Sequence, residues 1–388
     1  MHLFINALAA SAGGGVTYIR NVLPHLAAHP SVRTTVAINS GVQKEFHPLP
    51  NVEFLDLEIP GGRRFWYEQV NLPALMRARN ADVLLSTGNF ALWRSPIPQV
   101  LLSRNSLYLS EDFYGDLRSR REFRMWVDTH LRGVLAKRSI LRAEVTVAPS
   151  ETFASELERW SGRKVMAIHH GFDIDEFTRN SAPFSSDVEE KLRACDGSVK
   201  LLFVSHYNYY RNFETLIRAL PLLKSRLAGR AVKLLLTCHL RSGKNPGAYN
   251  PAQAARLIRD LNVQDMVEEL GSIAYQRLYQ LYARADVYVT PAYTETFAHP
   301  LVEAMSSDAP VVASDLQVHR EICGGAARYF AKFSHEDLAD TLARVILNPG
   351  MAELMRQAGQ KRAREFSWRR HVEEILTVCE RIRTPSSN

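Results

Sequence analysis

Short apolar runs alternate with longer amphipathic stretches along most of the chain, and this alternation constrains the fold more than any other feature. Such runs are typical of strands buried on both faces, and the stretches between them are typical of crossover helices. In the first half the predicted strands are 3–6, 34–38, 52–55, 82–86, 99–103 and 144–148, and the predicted helices are 18–28, 65–79 and 118–142. In the second half the predicted strands are 199–205, 233–237, 286–290, 310–314 and 328–330, and the predicted helices are 213–227, 275–284, 301–306 and 334–347. The sequence therefore predicts an α/β protein with two parallel sheets.

A boundary between two domains is predicted near residue 170. A strand at 164–169 is followed by a turn at Gly171 and a polar stretch at 178–187. We therefore predict a first domain at 1–170, a second at 171–366, and a closing helix and tail at 367–388, with Ser367 as the N-cap of that helix. A chain of 388 residues is long enough for two such domains, each with its own core. Ligands are expected at the carboxyl ends of the strands and in the cleft between the domains.

The composition excludes several classes of protein. With 46% hydrophobic and 23% charged residues, the chain is neither disordered nor collagen-like. The four cysteines are far apart and lack metal-binding spacing, which predicts reduced thiols and a cytoplasmic location; they are Cys195, Cys238, Cys323 and Cys379. The first residues lack the basic leader of a signal peptide, so we predict a strand there. No stretch approaches the ~20 apolar residues of a membrane-spanning helix.

The stretch 290–305 carries the most informative pattern and reads TPAYTETFAHPLVEAM. A predicted strand ends, a loop with Glu295 follows, and a helix is expected to open with Pro300, a residue type suited to the first helical position. Backbone N–H groups at such a helix start favour a diphosphate. Glu295, and Glu303 in the predicted first turn, are placed to accept hydrogen bonds from sugar or ribose hydroxyls. Taken alone, the spacing fits equally a solvated loop glutamate and a glutamate that complements the helix dipole.

Several segments in order add a resemblance to a known family. The segments ETFAHPLVEAM and DAPVVASD resemble E-G-F-G-x-P-x-x-E-A-M and G-x-P-V-V-A-S of the retaining glycosyltransferases of family 4. That family has the GT-B fold: two Rossmann-like domains face each other across a central cleft, and a C-terminal helix crosses back to the first domain. The resemblance covers nearly the whole second half, the glycine loop after the first strand and the stretch at 366–368.

The resemblance also implies roles for individual residues. Glu295 would contact the donor sugar, the backbone amides of Phe297 and Ala298 would hold its hydroxyls, and Glu303 would hold the ribose. Thr296 and Ala298 stand where the family commonly has glycines, so the backbone has less freedom to approach the sugar. We include Thr296 in the predicted donor site, and this departure leaves the identity of the donor open.

The predicted second domain opens with a strand followed by His206 and Arg211. In the resembled family two cations at these places clamp the donor diphosphate. Arg211 is permanently charged and can bind phosphate oxygens bidentately. His206 is charged only near or below a pH of about 6.5 unless a phosphate raises its pKa. The alternative is an aromatic-rich turn in which Arg211 is an ordinary surface residue.

Two further candidates lie in the predicted first domain. Gly14 and Gly15 follow the first strand, and the resemblance places such a loop beneath the donor phosphates and beside the acceptor. Arg104 and Asn105 follow the strand 99–103, where many relatives carry a histidine. We predict that Gly14, Gly15, Arg104 and Asn105 contact the acceptor and that Gly15 also contacts the donor. The alternatives are a plain tight turn and a surface arginine.

Most of the net charge of +7 comes from one segment. Between Arg118 and Arg142 lie eight basic and two acidic residues, interleaved with apolar ones, for a net charge of +6. A basic amphipathic segment favours contact with an anionic bilayer, and a solvated helix face is the alternative. We do not expect nucleic acid as a partner, because no recognised binding module accompanies the charge.

Together these features predict a retaining hexosyltransferase. It would move a sugar from a UDP-, GDP-, ADP- or dTDP-linked donor to a hydroxyl of a glycan or glycolipid, in bacterial surface polysaccharide or lipopolysaccharide biosynthesis. Glu295 and Arg211 are the predicted catalytic residues, and no Asp-x-Asp motif points to a metal, so no cofactor is expected. The alternatives are a nucleotide-sugar epimerase or phosphorylase of the same fold, and a two-domain binding protein without activity.

Overall fold

The computed structural model describes residues 1–10, 14–59, 62–179, 182–241, 243 and 249–383. The chain forms two compact units. The first unit comprises Met1–Ser110, Leu117–Gly171 and the chain from Ser367 onward. The second comprises Phe172–Phe366 together with the short segment Glu111–Asp116.

The first unit contains a sheet of seven parallel strands in the order β3-β2-β1-β4-β5-β6-β7. The strands are β1 (His2–Asn6), β2 (Arg33–Asn39), β3 (Val52–Leu57), β4 (Val83–Ser86), β5 (Gln99–Leu102), β6 (Val145–Ala148) and β7 (Met166–Ala167). The helices are α1 (Gly14–Ala27), α2 (Arg64–Ala78), α3 (Glu111–Ser119), which begins in the segment of the second unit, α4 (Phe123–Arg142), α5 (Glu151–Ser161) and α15 (Trp368–Arg383). The central strands β1, β4 and β5 are buried on both faces, as their continuous apolar sequences require.

The second unit contains a sheet of six parallel strands in the order β10-β9-β8-β11-β12-β13. The strands are β8 (Val199–Phe203), β9 (Val232–Leu236), β10 (Val267–Glu269), β11 (Val287–Thr290), β12 (Val311–Ser314) and β13 (Ala327–Phe330). The helices are α6 (Ile174–Arg179), α7 (Ser186–Ala194), α8 (Phe213–Arg226), α9 (Ala252–Asp260), α10 (Tyr275–Ala283), α11 (His299–Ser306), α12 (Gln317–Cys323), α13 (His335–Leu347) and α14 (Pro349–Ala363).

Each sheet has one point at which the strand order reverses. In the first unit this point lies between β1 and β4, and in the second it lies between β8 and β11. In an open parallel sheet the connections on either side of such a point leave in opposite directions, which opens a crevice at the carboxyl ends of the two strands. The loops that follow β1, β4, β8 and β11 are therefore the loops that the fold offers for binding.

The predicted class, two parallel α/β sheets of the Rossmann type, is confirmed, and the differences are local. The single helix predicted for 118–142 is two helices, because the backbone at Arg121 has a φ of 61° and ends the first of them. The strand predicted for 164–169 is reduced to Met166–Ala167, which pairs with β6 over only two residues at the edge of the sheet. The prediction missed seven elements: α5, α6, α7, α9, α12, α14 and β10.

The closing helix α15 packs within the first unit. The Ser367 hydroxyl accepts a hydrogen bond from the backbone N–H of Arg370 at 3.4 Å, as expected of the predicted N-cap. The Tyr18 hydroxyl lies 3.0 Å from Nε2 of His371, and the Tyr18 ring meets the Trp368 ring edge-on at 5.8 Å. These contacts fix α15 against α1, whose first residues form the glycine loop.

The cysteines are buried, and none of the four forms a disulfide. Burial raises the pKa of the Cys323 and Cys379 thiols to about 12, so both stay protonated at neutral pH. Among the described helices, none combines the length and the apolar character needed to cross a membrane.

The close contact between Gly171 and α15 leads us to expect that a larger residue at position 171 destabilises the folded chain. A Cβ added at Gly171 would lie 2.0 Å from the backbone nitrogen of Trp368, so Gly171→Ala forces two backbone segments apart. We expect it to lower the free energy of unfolding by about 2 kcal/mol or more, measured by urea denaturation. Gly115→Ala is the matched control, because nothing lies within 4 Å of that position and alanine favours the helix. Equal stability of the two variants would contradict the prediction.

Candidate functional site

An arginine and a glutamate form an ion pair at the point of reversal in the second sheet. Arg211 ends a short turn after β8, and Glu295 lies in the loop after β11. Nη1 of Arg211 donates a hydrogen bond to Oε1 of Glu295. The side chains are only 18% and 10% exposed, so the pair is largely shielded from water. The structure thus brings together the two residues that the sequence predicted as catalytic.

The guanidinium of Arg211 remains charged in these surroundings. Burial alone would lower the pKa of Arg211, but the Glu295 carboxylate and the nearby Tyr210 and Tyr288 raise it above the ordinary value. The guanidinium also lies 5.2 Å from the centroid of the Tyr210 ring. Its Nε is buried and has no hydrogen-bond partner within the described residues, so one donor remains available for a ligand.

The loops that carry the ion pair are tied to each other by backbone and amide hydrogen bonds. Asn212 adopts a left-handed conformation with a φ of 54° just before α8. Its side-chain amide donates to the Pro291 carbonyl at 3.1 Å, and the backbone N–H of Tyr293 donates to the Tyr210 carbonyl at 3.0 Å. Both bonds join the turn after β8 to the loop after β11, which holds Arg211 and Glu295 at a fixed spacing.

The helix after Glu295 begins one residue earlier than predicted. Ala298 is its N-cap, with a left-handed φ of 64°, and α11 starts at His299, so Pro300 is the second helical residue. Glu303 is therefore the fifth residue of α11 and lies in the second turn, not in the first turn as predicted. The left-handed conformation of Ala298 marks the end of the loop, and α11 begins at the next residue.

Between the two glutamates, the side chain of Phe297 packs in the core, whereas the backbone of the loop would contact a ligand. Phe297 is buried and its ring meets that of Phe366 edge-on at 5.3 Å. Thr296 is half-buried, and Ala298 is nearly buried. Phe297 therefore anchors the loop through its side chain, whereas the predicted contacts with a sugar would involve the backbone.

Glu303 occupies a more apolar environment than its predicted ribose contact suggested. It is buried and accepts a hydrogen bond from the Tyr282 hydroxyl at 2.9 Å. Burial raises the pKa of Glu303 to about 7, although the Tyr282 hydrogen bond lowers it in part. Glu303 is thus a carboxyl group that changes charge near neutral pH.

His206, the second predicted cation, is exposed after β8. Partial burial and then the neighbouring Arg211 charge lower its pKa below the ordinary value for histidine. The imidazole is therefore neutral at pH 7 in the ligand-free chain, and Arg211 is the permanent cation of this pair of residues.

His319, the third residue of α12, was not predicted from the sequence to lie near the candidate site. It is completely buried, its Nδ1 lies 2.9 Å from the Ser314 carbonyl, and its Nε2 has no hydrogen-bond partner in the part of the chain that the structure describes. Burial lowers its pKa, and both Glu295 and Arg211 act on it electrostatically, so it lies near the ion pair. The available signal was its position after β12, the strand adjacent to β11.

The candidates in the first unit meet at its own point of reversal. Gly14 and Gly15 open α1 after β1, and a Cβ on Gly15 would lie 3.1 Å from Cα of Ala10. Arg104 donates from Nη1 to the Gly14 carbonyl at 3.2 Å and from Nη2 to the Thr87 carbonyl at 2.9 Å. Arg104 therefore joins the loop after β1 to the loop after β4.

The surroundings of Arg104 differ from those of an ordinary surface arginine, the alternative that the sequence left open. Its guanidinium lies 4.7 Å from the Tyr18 ring centroid, and burial lowers its pKa, while Tyr18 raises it in part. Its Nε has no hydrogen-bond partner among the described residues. Asn105 accepts a hydrogen bond from the Leu107 backbone at 3.0 Å and so caps a short turn. Direct acceptor contacts by Arg104 and Asn105 remain predictions.

In chemical terms the second unit offers a site for a ligand with both phosphate and hydroxyl groups. A guanidinium suits phosphate oxygens, and a carboxylate suits hydroxyl donors. The start of α11 lies in the same loop as Glu295, and helix starts favour anions. The position between β8 and β11 is where open parallel sheets bind their ligands.

Two family models match the two halves of the chain. The model described as Glycosyltransferase Family 4 matches residues 12–176. The model described as Glycosyl transferases group 1 matches residues 186–362, which include Arg211, Glu295, Glu303 and His319. Neither model extends over the other's half, and together they leave only short segments of the chain unmatched.

The chain is similar to curated proteins over part of their length. A D-inositol 3-phosphate glycosyltransferase from Actinosynnema mirum is 27% identical over 220 residues, which are 55% of this chain and 51% of that protein. The chain thus spans about half the length of this relative.

Solved structures share the fold over almost the whole chain. Sucrose-phosphate synthase from Thermosynechococcus elongatus has a TM-score of 0.73 at 17% identity, with 98% of each chain covered. Anabaena HepE in complex with UDP-glucose has a TM-score of 0.72 at 19% identity, covering 98% of this chain and 100% of HepE. The chain thus shares the GT-B fold of these structures, and its two halves match a family 4 and a group 1 glycosyltransferase model respectively.

Proposed function

We propose that the chain transfers a sugar from a nucleotide-diphosphate sugar to a hydroxyl of a glycan or glycolipid, with retention of the anomeric configuration. The observation that carries the proposal is the Arg211–Glu295 ion pair, held between β8 and β11 beside the start of α11. A donor of this kind has a diphosphate for the cation and sugar hydroxyls for the carboxylate, so one ligand matches both partners of the pair.

The ion pair suggests an order of events on donor binding. Without a ligand, Arg211 and Glu295 neutralise each other. The diphosphate competes with Glu295 for the guanidinium, and Arg211 still has its Nε donor for a second bond to phosphate. Once displaced from Arg211, the Glu295 carboxylate is available to accept hydrogen bonds from the donor sugar.

Electrostatic stabilisation of the leaving group is the proposed source of the rate enhancement. As the bond to the sugar breaks, positive charge grows on the ring and negative charge grows on the departing diphosphate. In this proposal Arg211 and the N–H groups at the start of α11 stabilise that negative charge electrostatically. The acceptor attacks from the face that the diphosphate leaves, and the leaving phosphate takes the proton of the acceptor hydroxyl. No metal ion is required in this scheme.

The comparisons favour a UDP-sugar as the first donor to test. HepE has been solved in complex with UDP-glucose, which supports this choice of donor. We propose a bacterial cell-surface glycan or glycolipid as the acceptor, in polysaccharide or lipopolysaccharide biosynthesis. We also propose a cytoplasmic location, with peripheral contact between the basic segment from Arg118 to Arg142 and an anionic membrane.

A nucleotide screen is the direct test of the donor site. A ligand that binds only the folded chain stabilises it by RT ln(1 + [L]/Kd), about 2.7 kcal/mol at 100 times Kd. We expect UDP to raise the melting temperature more than GDP, ADP or dTDP, both with and without EDTA, measured by differential scanning fluorimetry. No stabilisation by any of the four nucleotides would contradict the proposed donor site.

Substitutions in the ion pair should separate donor binding from transfer. Arg211→Ala removes the cation for the diphosphate, so we expect UDP affinity to fall by about 10- to 100-fold in calorimetry. Glu295→Gln removes the competitor for Arg211, so UDP affinity should be unchanged or higher. Transfer by Glu295→Gln should fall by at least about 100-fold, followed by NMR, which also reports the anomeric configuration of the product. Weaker UDP binding in Glu295→Gln would contradict the proposed competition.

Arg320, on α12, provides a matched control for the Arg211 substitution. Arg320 is also paired with a carboxylate, Asp315, but that pair is exposed on the surface. Arg320→Ala should leave UDP affinity and transfer unchanged, because its charge is screened by solvent.

The raised pKa of Glu303 leads us to expect that nucleotide binding depends on pH. With a pKa of about 7 it is protonated below neutrality and ionised above it. If its carboxylate accepts hydrogen bonds from the ribose, UDP affinity should rise between pH 6 and pH 8, over a window centred on about 7. Calorimetry across this range should show the rise in the native chain and no rise in Glu303→Gln. The same slope in both proteins would assign the pH dependence to another group.

A further inference from the structure

Exposed apolar side chains are concentrated on two helices of the first unit. Of the ten large apolar residues that are exposed in the described chain, seven lie on α2 and α4. They are Trp66, Val70, Phe123, Val127, Leu131, Val134 and Leu141. Such residues scattered singly need no explanation, but a concentration on neighbouring helices indicates an interaction surface.

The five on α4 form a stripe along one side of the helix. Their spacings of three, four and seven residues place them on one face. The buried face of α4 consists of other residues, namely Thr129, Gly133, Ala136, Ser139 and Ile140. The helix therefore has one apolar side in the core of the unit and a second apolar side with no partner in the described chain.

A series of side-chain contacts links α2 to α4 through Trp93. Trp66 and Val70 are four residues apart on α2 and are 64% and 70% exposed. The Trp66 ring lies 5.5 Å from the Phe65 ring, which lies 5.3 Å from the Trp93 ring. The Arg138 guanidinium of α4 in turn lies 4.6 Å from the Trp93 ring.

A basic groove lies between the two helices beside the apolar stripe. It has a volume of about 370 Å³ and is lined by Gln69, Trp93, Arg94, Arg138 and Arg142. None of the described residues that line it is acidic. The Gln69 amide accepts from the Trp93 backbone at 2.8 Å and donates to the Ala91 carbonyl at 3.1 Å, which fixes the aromatic wall. Three guanidinium groups in one groove suit a phosphate group.

The net charge of α4 favours an anionic bilayer over a second copy of the chain as the partner of this surface. α4 carries five basic residues and one acidic residue, for a net charge of +4. A second copy of the chain docked on the same surface would bring like charges together, which is unfavourable. An anionic bilayer offers both an apolar boundary for the stripe and phosphates for the arginines.

We infer that α4 and the first half of α2 form a docking surface for an anionic phospholipid bilayer. Val127, Leu131 and their neighbours enter the boundary between headgroups and acyl chains, and the groove holds a lipid phosphate. This inference rests on the membrane contact proposed above, but it assigns that contact to different structural features. The exposed apolar stripe and the groove define the surface, whereas Arg118 belongs to α3 and Arg132 pairs with Asp128.

Vesicle co-sedimentation tests the inference with the full chain. We expect binding to an equal mixture of phosphatidylcholine and phosphatidylglycerol, and much weaker binding to phosphatidylcholine alone. Val127→Gln with Leu131→Gln should lower the partition coefficient by about tenfold or more. Arg138→Gln with Arg142→Gln should lower it by about 30-fold at low salt, and this effect should shrink at high salt.

A control of the same chemistry is available on the second unit. Leu347 and Leu354 are also exposed, on α13 and α14, and Leu347→Gln with Leu354→Gln should leave vesicle binding unchanged. All the substituted side chains are exposed, so the melting temperature and its shift with nucleotide should stay as in the native chain. The nucleotide shift reports the proposed donor site independently, so its loss would count against that site and not against the docking surface.

Several outcomes would overturn the inference. Equal binding to neutral and anionic vesicles would show that the arginines play no part. Equal loss of binding in the α4 variant and in the control would show that the stripe is not the surface. A dimer in sedimentation velocity that Val127→Gln with Leu131→Gln dissociates, without a change in vesicle binding, would assign the surface to a second copy of the chain.

Discussion

The hydrogen bonds that tie the turn after β8 to the loop after β11 determine what the second unit can bind. Asn212 and Tyr210 hold this turn against Pro291 and Tyr293 through their backbone and amide groups. A largely buried guanidinium costs free energy unless a carboxylate or a phosphate compensates it. The bonded loops place the Glu295 carboxylate where it compensates Arg211 without a ligand, so the candidate site is formed in the ligand-free chain. An anionic ligand of Arg211 would have to displace the Glu295 carboxylate, and this exchange of one anion for another would limit the net gain in electrostatic energy on binding.

An arginine also lies at the point of reversal in the first sheet, but it serves a different purpose. Arg104 donates to the carbonyls of Gly14 and Thr87, which follow β1 and β4. Thr87 directly follows β4, where a carbonyl group lacks a partner in the sheet, whereas Gly14 opens α1, and one guanidinium donates to both carbonyls at once. Arg104 is thus bound to neutral oxygens, whereas Arg211 is bound to a carboxylate. A ligand anion can exchange with that carboxylate, but Arg104 would have to release backbone groups to bind an anion with the same nitrogens.

The sequence predicted the strands, and the strand ends that carry the candidate site, better than it predicted the local geometry. Strands such as β1, β4 and β11 are short apolar runs, which can be recognised in the sequence without knowledge of the tertiary structure. Arg211 and Glu295 were found because they follow such strands and resemble a family pattern. Their pairing was not predicted, since it depends on the order of strands, and β8 and β11 are far apart along the chain. The burial of Glu303 and the position of His319 depend on tertiary contacts in the same way.

Ala298 shows how the core maintains an unfavourable backbone at the candidate site. A left-handed conformation costs a residue with a Cβ about 1–2 kcal/mol relative to the right-handed one, and glycine avoids most of this cost. Two neighbours fix the conformation nonetheless: Phe297 is buried against Phe366, and Pro300 limits the backbone at the start of α11. A glycine at 298 would leave the loop more freedom, whereas alanine confines it to the conformation that these neighbours impose. Alanine in place of the glycine of the resembled family therefore narrows the range of conformations open to the loop, and with it the range of ligands that would fit the proposed site.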